Sequence, residues 1–334
     1  MRQLAFYFFL ILGLLVSLAG CAPLDNRDAT EKKIEETTIS SESVVEYVEI
    51  CSTITIGVAL LDEENLFISQ LKKAMSQTAD DVGVVLIFKN GKNNPQKQVK
   101  HVEEFISQMV DIIILNAASY SDCAPAVDLA VQKGIPIVTV NTKVENQYKC
   151  ESFIGSDAVQ SGRLQLQSVA NVFDGKCSFL YLKGPIGHEA ELGRKIGMNE
   201  ILSQFPDMHL IYEQSANWSM SEAYIITKNS LATYDKIDAV VAQNDEMALG
   251  ALQAINDAGK SGQIKVFGID AIPEALQAIK EGEMESTVLQ NADIQGKEAI
   301  LAAKSIALGK KVKKEIMISY KLIDKENINF YLSE

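Results

Sequence analysis

The chain has 334 residues, of which 47% are hydrophobic, so it can bury a full core, and its length favours two domains over one. Its net charge of −13 argues against a nucleic-acid partner, because nucleic-acid binding needs clustered Lys and Arg. A short basic cluster, Lys310, Lys311, Lys313 and Lys314, is interpreted as a solvated helix end or turn.

The N-terminal segment predicts export and lipid attachment. Arg2 precedes an apolar run over 4–18, and small residues then precede Cys21, an arrangement that resembles a bacterial lipoprotein signal. We expect residues 1–20 to be the signal peptide and Cys21 to carry a two-chain lipid that anchors the protein stably. The alternatives are an ordinary signal peptide and a membrane-spanning anchor, although the run is short for a span. Residues 21–52, rich in Glu, Thr and Ser, are predicted to form a flexible acidic linker.

From residue 54 onward, short apolar runs alternate with amphipathic segments. The runs indicate strands buried on both faces, and apolar residues at three- and four-residue spacing indicate helices. In the first half we predict strands at 54–61, 84–88, 112–115 and 135–140, and helices at 67–81, 96–109 and 124–132. After a loop over 141–151 we predict strands at 179–182, 209–212, 237–242 and 266–269, and helices at 191–202, 221–231 and 246–258. This order predicts two α/β lobes, each built on a parallel sheet with right-handed crossovers.

Residues 237–259 place polar side chains directly after one predicted strand. Asn244 and Asp245 follow its Val-rich run, and the next helix ends at Gly259. Ligands bind at the carboxyl ends of the strands in open α/β sheets. Asn244 is therefore interpreted as a binding residue and Asp245 as the helix cap. The alternative is that both residues only cap the helix.

Polar and aromatic residues follow most of the other predicted strands as well. They are Asn65, Phe67, Asn116, Asn141 and Thr142 in the first half, and His188, Arg194, Trp218 and Asp270 in the second. Taken singly, each is explained at least as well as a cap, a core residue or a solvated residue. Together they predict a polar cleft with two aromatic rings and no nucleophile system.

Three stretches carry more specific motifs. Residues 242–252 read AQNDEMALGAL, residues 182–188 read LKGPIGH and are followed by Arg194, and residues 266–276 read VFGIDAIPEAL. The first resembles bacterial ribose-binding proteins, and the other two resemble the glucose/galactose-binding proteins. From about residue 53 to its C-terminus, the chain is therefore similar to periplasmic sugar-binding proteins of the two-lobed ribose type.

The resemblance implies the type I periplasmic-binding-protein fold, in which two doubly wound parallel-sheet lobes are joined by three crossings. The crossings are expected near 153–156, 290–293 and 320–324, with a first-lobe helix at 294–304. The first lobe would comprise 53–153 and 292–321, and the second 154–291 and 322–334. Closure about these crossings would bury a ligand and present a composite surface of both lobes to a partner.

The resemblance also implies a monosaccharide between the lobes. Phe67 and Trp218 fall on two positions whose aromatic faces sandwich the sugar, which suits the C–H faces of a pyranose ring. The positions that bind hydroxyl groups are occupied by Asn65, Asn116, His188, Arg194, Asn244, Asp270 and Gln290. Asn141 and Thr142 stand where ribose binders carry an Asp-Arg pair, and Asn141 is retained as a ligand-binding candidate.

Departures from the glucose/galactose pattern leave the sugar unnamed. Ala190 stands in place of an aspartate, and Leu61 replaces a tyrosine. The missing aspartate argues against glucose and galactose as ligands unless Glu189 reaches the ligand instead. The calcium loop of those proteins is missing, because only residues 174–176 separate a helix from the next strand. We therefore expect neither a metal site nor a cofactor.

The expected function is that of a monomeric, lipid-anchored solute-binding protein on the extracytoplasmic face of the cell membrane. It would deliver a monosaccharide or related polyol to the permease of an ATP-driven (ABC) importer. The alternative is a sugar-sensing receptor whose closed form engages a chemoreceptor or a sensor kinase. An enzyme is not expected, because the chain has no G-x-S-x-G, H-E-x-x-H or P-loop motif and no G-x-G-x-x-G after a strand. DNA-binding regulators of this fold carry an N-terminal helix-turn-helix, where this chain has the signal and the linker.

Four further cysteines leave the disulfide question open. They are Cys51, Cys123, Cys150 and Cys177. Cys123 and Cys150 form one candidate pair in an exported protein, and buried thiols that act as small hydrophobes are the alternative.

Overall fold

The computed structural model describes residues 53–332. The predicted signal peptide, the anchor residue Cys21, the linker and Cys51 lie outside this range. Twelve strands form two six-stranded sheets within it. The central strands are fully buried, as in Ile112–Leu115, because helices cover the sheets. The structure thus confirms the predicted fold class of two α/β lobes with parallel sheets.

The elements follow one another in an almost strict β/α alternation. The strands are β1 (Thr55–Leu60), β2 (Val85–Asn90), β3 (Ile112–Leu115), β4 (Ile137–Val140), β5 (Ser152–Gly155), β6 (Lys176–Lys183), β7 (Asp207–Ser215), β8 (Ala239–Ala242), β9 (Lys265–Phe267), β10 (Ser286–Leu289), β11 (Glu315–Met317) and β12 (Lys321–Asp324). The helices are α1 (Leu66–Val82), α2 (Pro95–Ser107), α3 (Ala124–Gln132), α4 (Ala158–Val172), α5 (Glu189–Leu202), α6 (Met220–Thr233), α7 (Asp245–Asp257), α8 (Pro273–Glu281) and α9 (Ala292–Ala307). Two 3₁₀ helices cover Gln147–Lys149 and Ile328–Phe330.

The two sheets have equivalent strand orders. The first sheet runs β11-β5-β4-β3-β1-β2 and is parallel throughout. The second runs β12-β10-β9-β8-β6-β7 and is parallel except for its edge strand β12, which is antiparallel to β10. The carboxyl ends of the parallel strands in each lobe therefore meet along one edge, as the sequence pattern predicts.

The chain passes between the sheets three times, after β5, after β10 and after β11. Strand β5 pairs within the first sheet as far as Gly155, two residues beyond the expected end of the first segment at 153. Lys321 pairs with Leu289 in the second sheet, one residue before the expected start of the last segment. Both shifts arise because the strands continue their hydrogen-bonded ladders to the crossing itself.

All the predicted strands and helices are present, and their ends lie within three residues of the predicted ends. Strands β5, β10, β11 and β12 and helices α4 and α8 have no counterpart with stated bounds among the predicted elements. The four strands have only three or four residues each and α8 has nine, so too few apolar positions fall in them to establish a period. Among residues 53–332, no helix combines the length and the apolar character needed to cross a membrane.

The cysteines inside the described range are separate thiols. Cys123, Cys150 and Cys177 are free and buried. The thiol of Cys123 donates to Oε1 of Gln98 at 3.2 Å, so it packs as a small, weakly polar core residue. In this structure, the candidate pair of Cys123 and Cys150 is not joined.

Glycines let α5 lie directly on α4. A Cβ atom added at Gly197 of α5 would overlap the carbonyl oxygen of Val159 in α4, and one added at Gly162 of α4 would overlap the carbonyl oxygen of Arg194. The obstacles are backbone atoms, which cannot rotate away. This close packing fixes the position of the helix that carries Arg194.

We predict that Gly197→Ala destabilises the protein although alanine favours helices. Overpacking costs about 1–3 kcal/mol, whereas alanine gains about 0.5–1 kcal/mol over glycine inside a helix. Urea unfolding should show a loss of about 1–2 kcal/mol. The control is Ile196→Ala on the exposed face of the same helix, where 51% of the residue is accessible. Equal stability of Gly197→Ala and wild type would contradict the proposed close packing.

Candidate functional site

Side chains from both lobes line one small cavity between the carboxyl edges of the two sheets. Its volume is about 30 Å³, which is small beside the several hundred Å³ of typical ligand pockets. A larger molecule therefore enters only if the lobes or side chains move apart. Nine of the ten predicted ligand-binding residues line the cavity, namely Asn65, Phe67, Asn141, His188, Arg194, Trp218, Asn244, Asp270 and Gln290. Leu61, Ile68 and Ala190 complete the lining, and Glu189 does not take part in it.

Trp218 closes the second-lobe side of the cavity. It lies in the turn after β7 with a φ of 62° and is 8% exposed. A Cβ atom at Gly184 would overlap the indole, so this glycine of the LKGPIGH motif makes room for the ring. The His188 ring meets the indole edge-on at 5.4 Å between centroids, and the Arg194 guanidinium carbon lies 5.6 Å from the indole centroid. The indole is thereby held in one orientation.

His188 presents an N–H group that has no hydrogen-bond partner among residues 53–332. Its Nδ1 accepts a hydrogen bond from the backbone N–H of Ala190 at 3.2 Å and so caps α5. Burial and the nearby charge of Arg194 lower the pKa of His188 to about 3, so the ring is neutral and its proton is assigned to Nε2. Nε2 is buried, and no group within residues 53–332 bonds to it. The site therefore offers a neutral donor to an acceptor atom of a ligand.

Arg194 joins the ends of three neighbouring strands. One terminal nitrogen donates to the carbonyl oxygen of Gln243, and the other donates to Oε1 of Gln290 at 2.6 Å and lies 3.7 Å from Oδ1 of Asp270. Its Nε is buried without a partner in the described part of the chain. Burial raises the pKa of Asp270 well above its ordinary value, although Arg194 opposes this shift. The cluster thus holds both donors and acceptors.

Gln243 supports this cluster and was not among the predicted site residues. Its Oε1 accepts from the Gly184 N–H at 2.8 Å, and its Nε2 donates to the Tyr181 hydroxyl at 2.9 Å and to the Glu191 carbonyl at 3.0 Å. With its amide saturated, Gln243 fixes the backbone that receives Arg194. The only sequence signal is its place between a buried strand and Asn244.

The prediction that Asp245 caps the helix is wrong, and Asn244 is the cap. Asn244 is the N-cap of α7, since its backbone is extended and its Oδ1 accepts from the Met247 N–H at 3.0 Å. Asp245 is the first residue of the helix and is not the cap. Its buried carboxylate accepts from Thr287 Oγ1 at 2.7 Å and from the Ile272 N–H at 3.1 Å, so it holds the loop after β9. Asn244 still lines the cavity, so capping and lining are compatible.

Asn116, the tenth predicted ligand-binding residue, is not among the residues that line the cavity. Its Oδ1 accepts from the Leu61 N–H at 3.0 Å, and its Nδ2 donates to the Val140 carbonyl at 3.3 Å and to Oδ1 of Asn141 at 3.4 Å. The amide therefore ties together the ends of β1, β3 and β4. Thr142 is also buried behind the site, where its hydroxyl donates to the Ala117 carbonyl at 3.0 Å.

Within residues 53–332, no three His, Cys, Asp or Glu side chains are grouped as metal ligands would be. The polar atoms that face the cavity are instead amide, imidazole, guanidinium and carboxyl groups. Such groups recognise a small molecule through directed hydrogen bonds.

Comparison with known proteins identifies the family. Residues 56–311 match the family described as periplasmic binding protein domain. This chain belongs to the periplasmic binding proteins. It is 33% identical to a xylitol-binding protein of Mycolicibacterium smegmatis over 82% of this chain and 78% of the relative. It is 35% identical to a ribose import binding protein of Bacillus subtilis over 80% of this chain and 86% of the relative.

Among solved structures, an ABC transporter solute-binding protein of Bacillus halodurans with bound myo-inositol superposes with a TM-score of 0.81 at 34% identity. The match covers 84% of this chain and 97% of that protein. These relatives are binding proteins of transport systems, which confirms the prediction that this periplasmic binding protein is not an enzyme.

We predict that His188 makes the protein less stable in mild acid. Below pH 6.5 the unfolded chain binds a proton at His188, whereas the folded protein does so only near pH 3. The free energy of unfolding therefore falls as the pH drops from 6.5 towards 3. Between pH 7.5 and 5.5, wild type should lose about 1.4 kcal/mol more than His188→Asn, a variant that keeps a capping side chain. Urea unfolding at both pH values measures this difference. Parallel losses in the two proteins would contradict a neutral, buried His188.

Proposed function

We propose that this periplasmic binding protein is a lipid-anchored receptor that captures a monosaccharide or related polyol between its lobes and delivers it to an ABC importer. The observation that carries the proposal is the convergence of Phe67 and Trp218, from opposite lobes, on one cavity that also holds the unpartnered N–H of His188. The two apolar ring faces can stack on the C–H faces of a ligand, and the His188 N–H can bond to one of its peripheral hydroxyl groups.

The polar groups suit hydroxyl recognition because each hydroxyl both donates and accepts. His188 Nε2 and Arg194 Nε are donors without partners among residues 53–332, while Asp270 and Asn141 supply oxygen atoms at the same cavity. A buried polar group left unpaired costs about 1–3 kcal/mol. A sugar of the wrong configuration would leave such groups unpaired, which gives the site a means of discrimination.

The ligands named for the relatives agree with this class. Xylitol, ribose and myo-inositol are uncharged molecules with several hydroxyl groups, and the relatives that carry these names align over most of this chain. Ala190, in place of the aspartate of the glucose/galactose binders, lines the cavity and offers no hydrogen bond from its side chain. This favours ligands other than glucose and galactose.

We predict that a screen of pentoses, hexoses and polyols against the protein will find a stabilising ligand. At about 100 times its dissociation constant, a ligand adds roughly 2.7 kcal/mol to the free energy of unfolding, which thermal denaturation detects easily. Binding should change the fluorescence of Trp218, the single tryptophan of the chain. If no sugar or polyol stabilises the protein, the proposed ligand class is wrong.

The sandwich itself is tested by Phe67→Ala, which should weaken binding of the identified ligand at least tenfold, since an aromatic ring lost from a buried contact costs more than about 1.4 kcal/mol. Tyr148→Ala is the matched control, because that ring lies in the same lobe and is 78% exposed. Equal affinity of Phe67→Ala and wild type would refute the sandwich, provided that thermal unfolding shows the variant to be folded.

The membrane anchor generates a separate prediction. The lipid attached to Cys21 would hold the folded body near the membrane, where closed lobes can meet the permease. Cys21→Ala should release the protein from the membrane fraction, and mass spectrometry should find two-chain lipid on the wild-type cysteine. Retention of the variant in the membrane fraction would instead support a membrane-spanning segment or another means of attachment.

A further inference from the structure

One carboxylate connects the two lobes at the mouth of the cleft. Glu246 lies in the first turn of α7 in the second lobe. Its Oε2 accepts a hydrogen bond from Nδ2 of Asn65 and another from the backbone N–H of Leu66 at 3.3 Å. Both donors belong to the start of α1 in the first lobe. A second-lobe side chain thus bonds directly to the beginning of a first-lobe helix.

The start of α1 lacks an acidic residue of its own. Its first turn contains no Asp or Glu, although a negative charge there is favourable because the first N–H groups of a helix are unpaired. Asn65 caps one of these groups, since its Oδ1 accepts from the Ile68 N–H at 3.0 Å. Glu246 supplies the missing carboxylate from the other lobe.

Both the oxygen and the nitrogen of the Asn65 side-chain amide therefore make hydrogen bonds within the protein. The oxygen caps α1 and the nitrogen donates to Glu246, so this predicted ligand-binding residue is committed to contacts within the protein. Asn65 and Trp218 line both the small cavity and a larger outer cavity of about 690 Å³, which Glu246 and Glu64 also line. The Asn65–Glu246 contact therefore lies beside the proposed binding site.

Burial and nearby acidic residues disfavour the charged form of Glu246, but its neutral form can still make the contact. Burial, with smaller contributions from Glu274, Asp245 and Asp62, raises the pKa of Glu246 to about 7, while the Leu66 N–H counteracts the shift. A protonated carboxyl group keeps an oxygen that can accept from Asn65 or Leu66. Glutamine imitates that neutral form and serves as the conservative variant.

We propose that Glu246 is a positioning residue that fastens the closed lobes by capping α1 from across the cleft. We call this contact of Glu246 with Asn65 and Leu66 the Glu246 latch. The inference rests on the proposed capture of a ligand between the lobes. One further polar contact between the lobes is the hydrogen bond from the Tyr120 N–H to the Gly187 carbonyl at 3.0 Å, which involves backbone atoms alone. A side-chain hydrogen bond from Gln295 Nε2 to Ser156 Oγ at 3.4 Å also joins the lobes, at the first crossing. The latch lies away from that crossing, and substitution of Glu246 can remove it.

The latch predicts a specific change in kinetics. A ligand can leave only after the lobes separate, so loss of the latch should speed dissociation while the encounter with the open form is unaffected. Stopped-flow fluorescence of Trp218 with the stabilising sugar or polyol should show dissociation about tenfold faster for Glu246→Ala, with an association rate within about twofold of wild type. Glu246→Gln should lie between the two proteins. Glu64→Ala, which removes a charge from the same outer cavity, should match wild type.

Small-angle scattering of the proteins without ligand tests the latch even if no sugar binds. Glu246→Ala should have a larger radius of gyration than wild type and Glu64→Ala, and thermal unfolding should show that all three proteins are folded. Equal radii of gyration for all three proteins, or equal dissociation rates, would overturn the latch. A wild-type protein that binds no sugar or polyol would instead overturn the proposed function and leave the scattering result to decide the latch.

Discussion

The guanidinium of Arg194 organises the site, because a buried charge must be paired to be tolerated. Isolating such a charge costs several kcal/mol, and its partners here are the carbonyl of Gln243, the amide oxygen of Gln290 and the carboxylate of Asp270. These partners stand after β8, β10 and β9, so one side chain sets the spacing of three strand ends. The same charge lies against the indole of Trp218 and, after burial, is the second cause of the lowered pKa of His188. Arg194 belongs to helix α5, and the close glycine contact between α5 and α4 fixes the position of this helix relative to the strand ends.

Three residues that line the same cavity have strained backbone conformations. Asn141, Trp218 and Asp270 have φ values of 66°, 62° and 130°, which residues other than glycine adopt at a cost of about 1–3 kcal/mol each. All three residues line the cavity. Such conformations persist where the surrounding contacts impose them, and they turn the side chains to positions that an unstrained turn would not reach. The site is thus largely formed by the fold before any ligand is considered.

The sequence predicts the fold well because β/α alternation is a local, repeated signal. It also predicts that most of the candidate residues meet at one cavity, because residues at the carboxyl ends of parallel strands must share an edge, as His188 and Asp270 do. Its errors concern amide groups whose partners come from distant strands. Asn116 follows β3 as expected, yet it is saturated by the ends of β1 and β4. Residue spacing could not show which of Asn244 and Asp245 caps the helix. The cap is identified by the extended backbone of Asn244, and the role of the Asp245 carboxylate by its hydrogen bond from Thr287. The contact of Glu246 with Asn65 and Leu66 could not be predicted, because it forms only where the two lobes meet.

The central claim is that a hydroxyl-rich ligand lies between Phe67 and Trp218, with polar contacts supplied by the Arg194 cluster and His188. The most direct test is a crystal structure of the protein with the sugar or polyol that stabilises it most strongly. We expect density for a ring or polyol chain between the two aromatic faces, with His188 Nε2 within about 3 Å of a ligand oxygen. A ligand bound only in the outer cavity, or outside the contacts of Phe67 and Trp218, would contradict it.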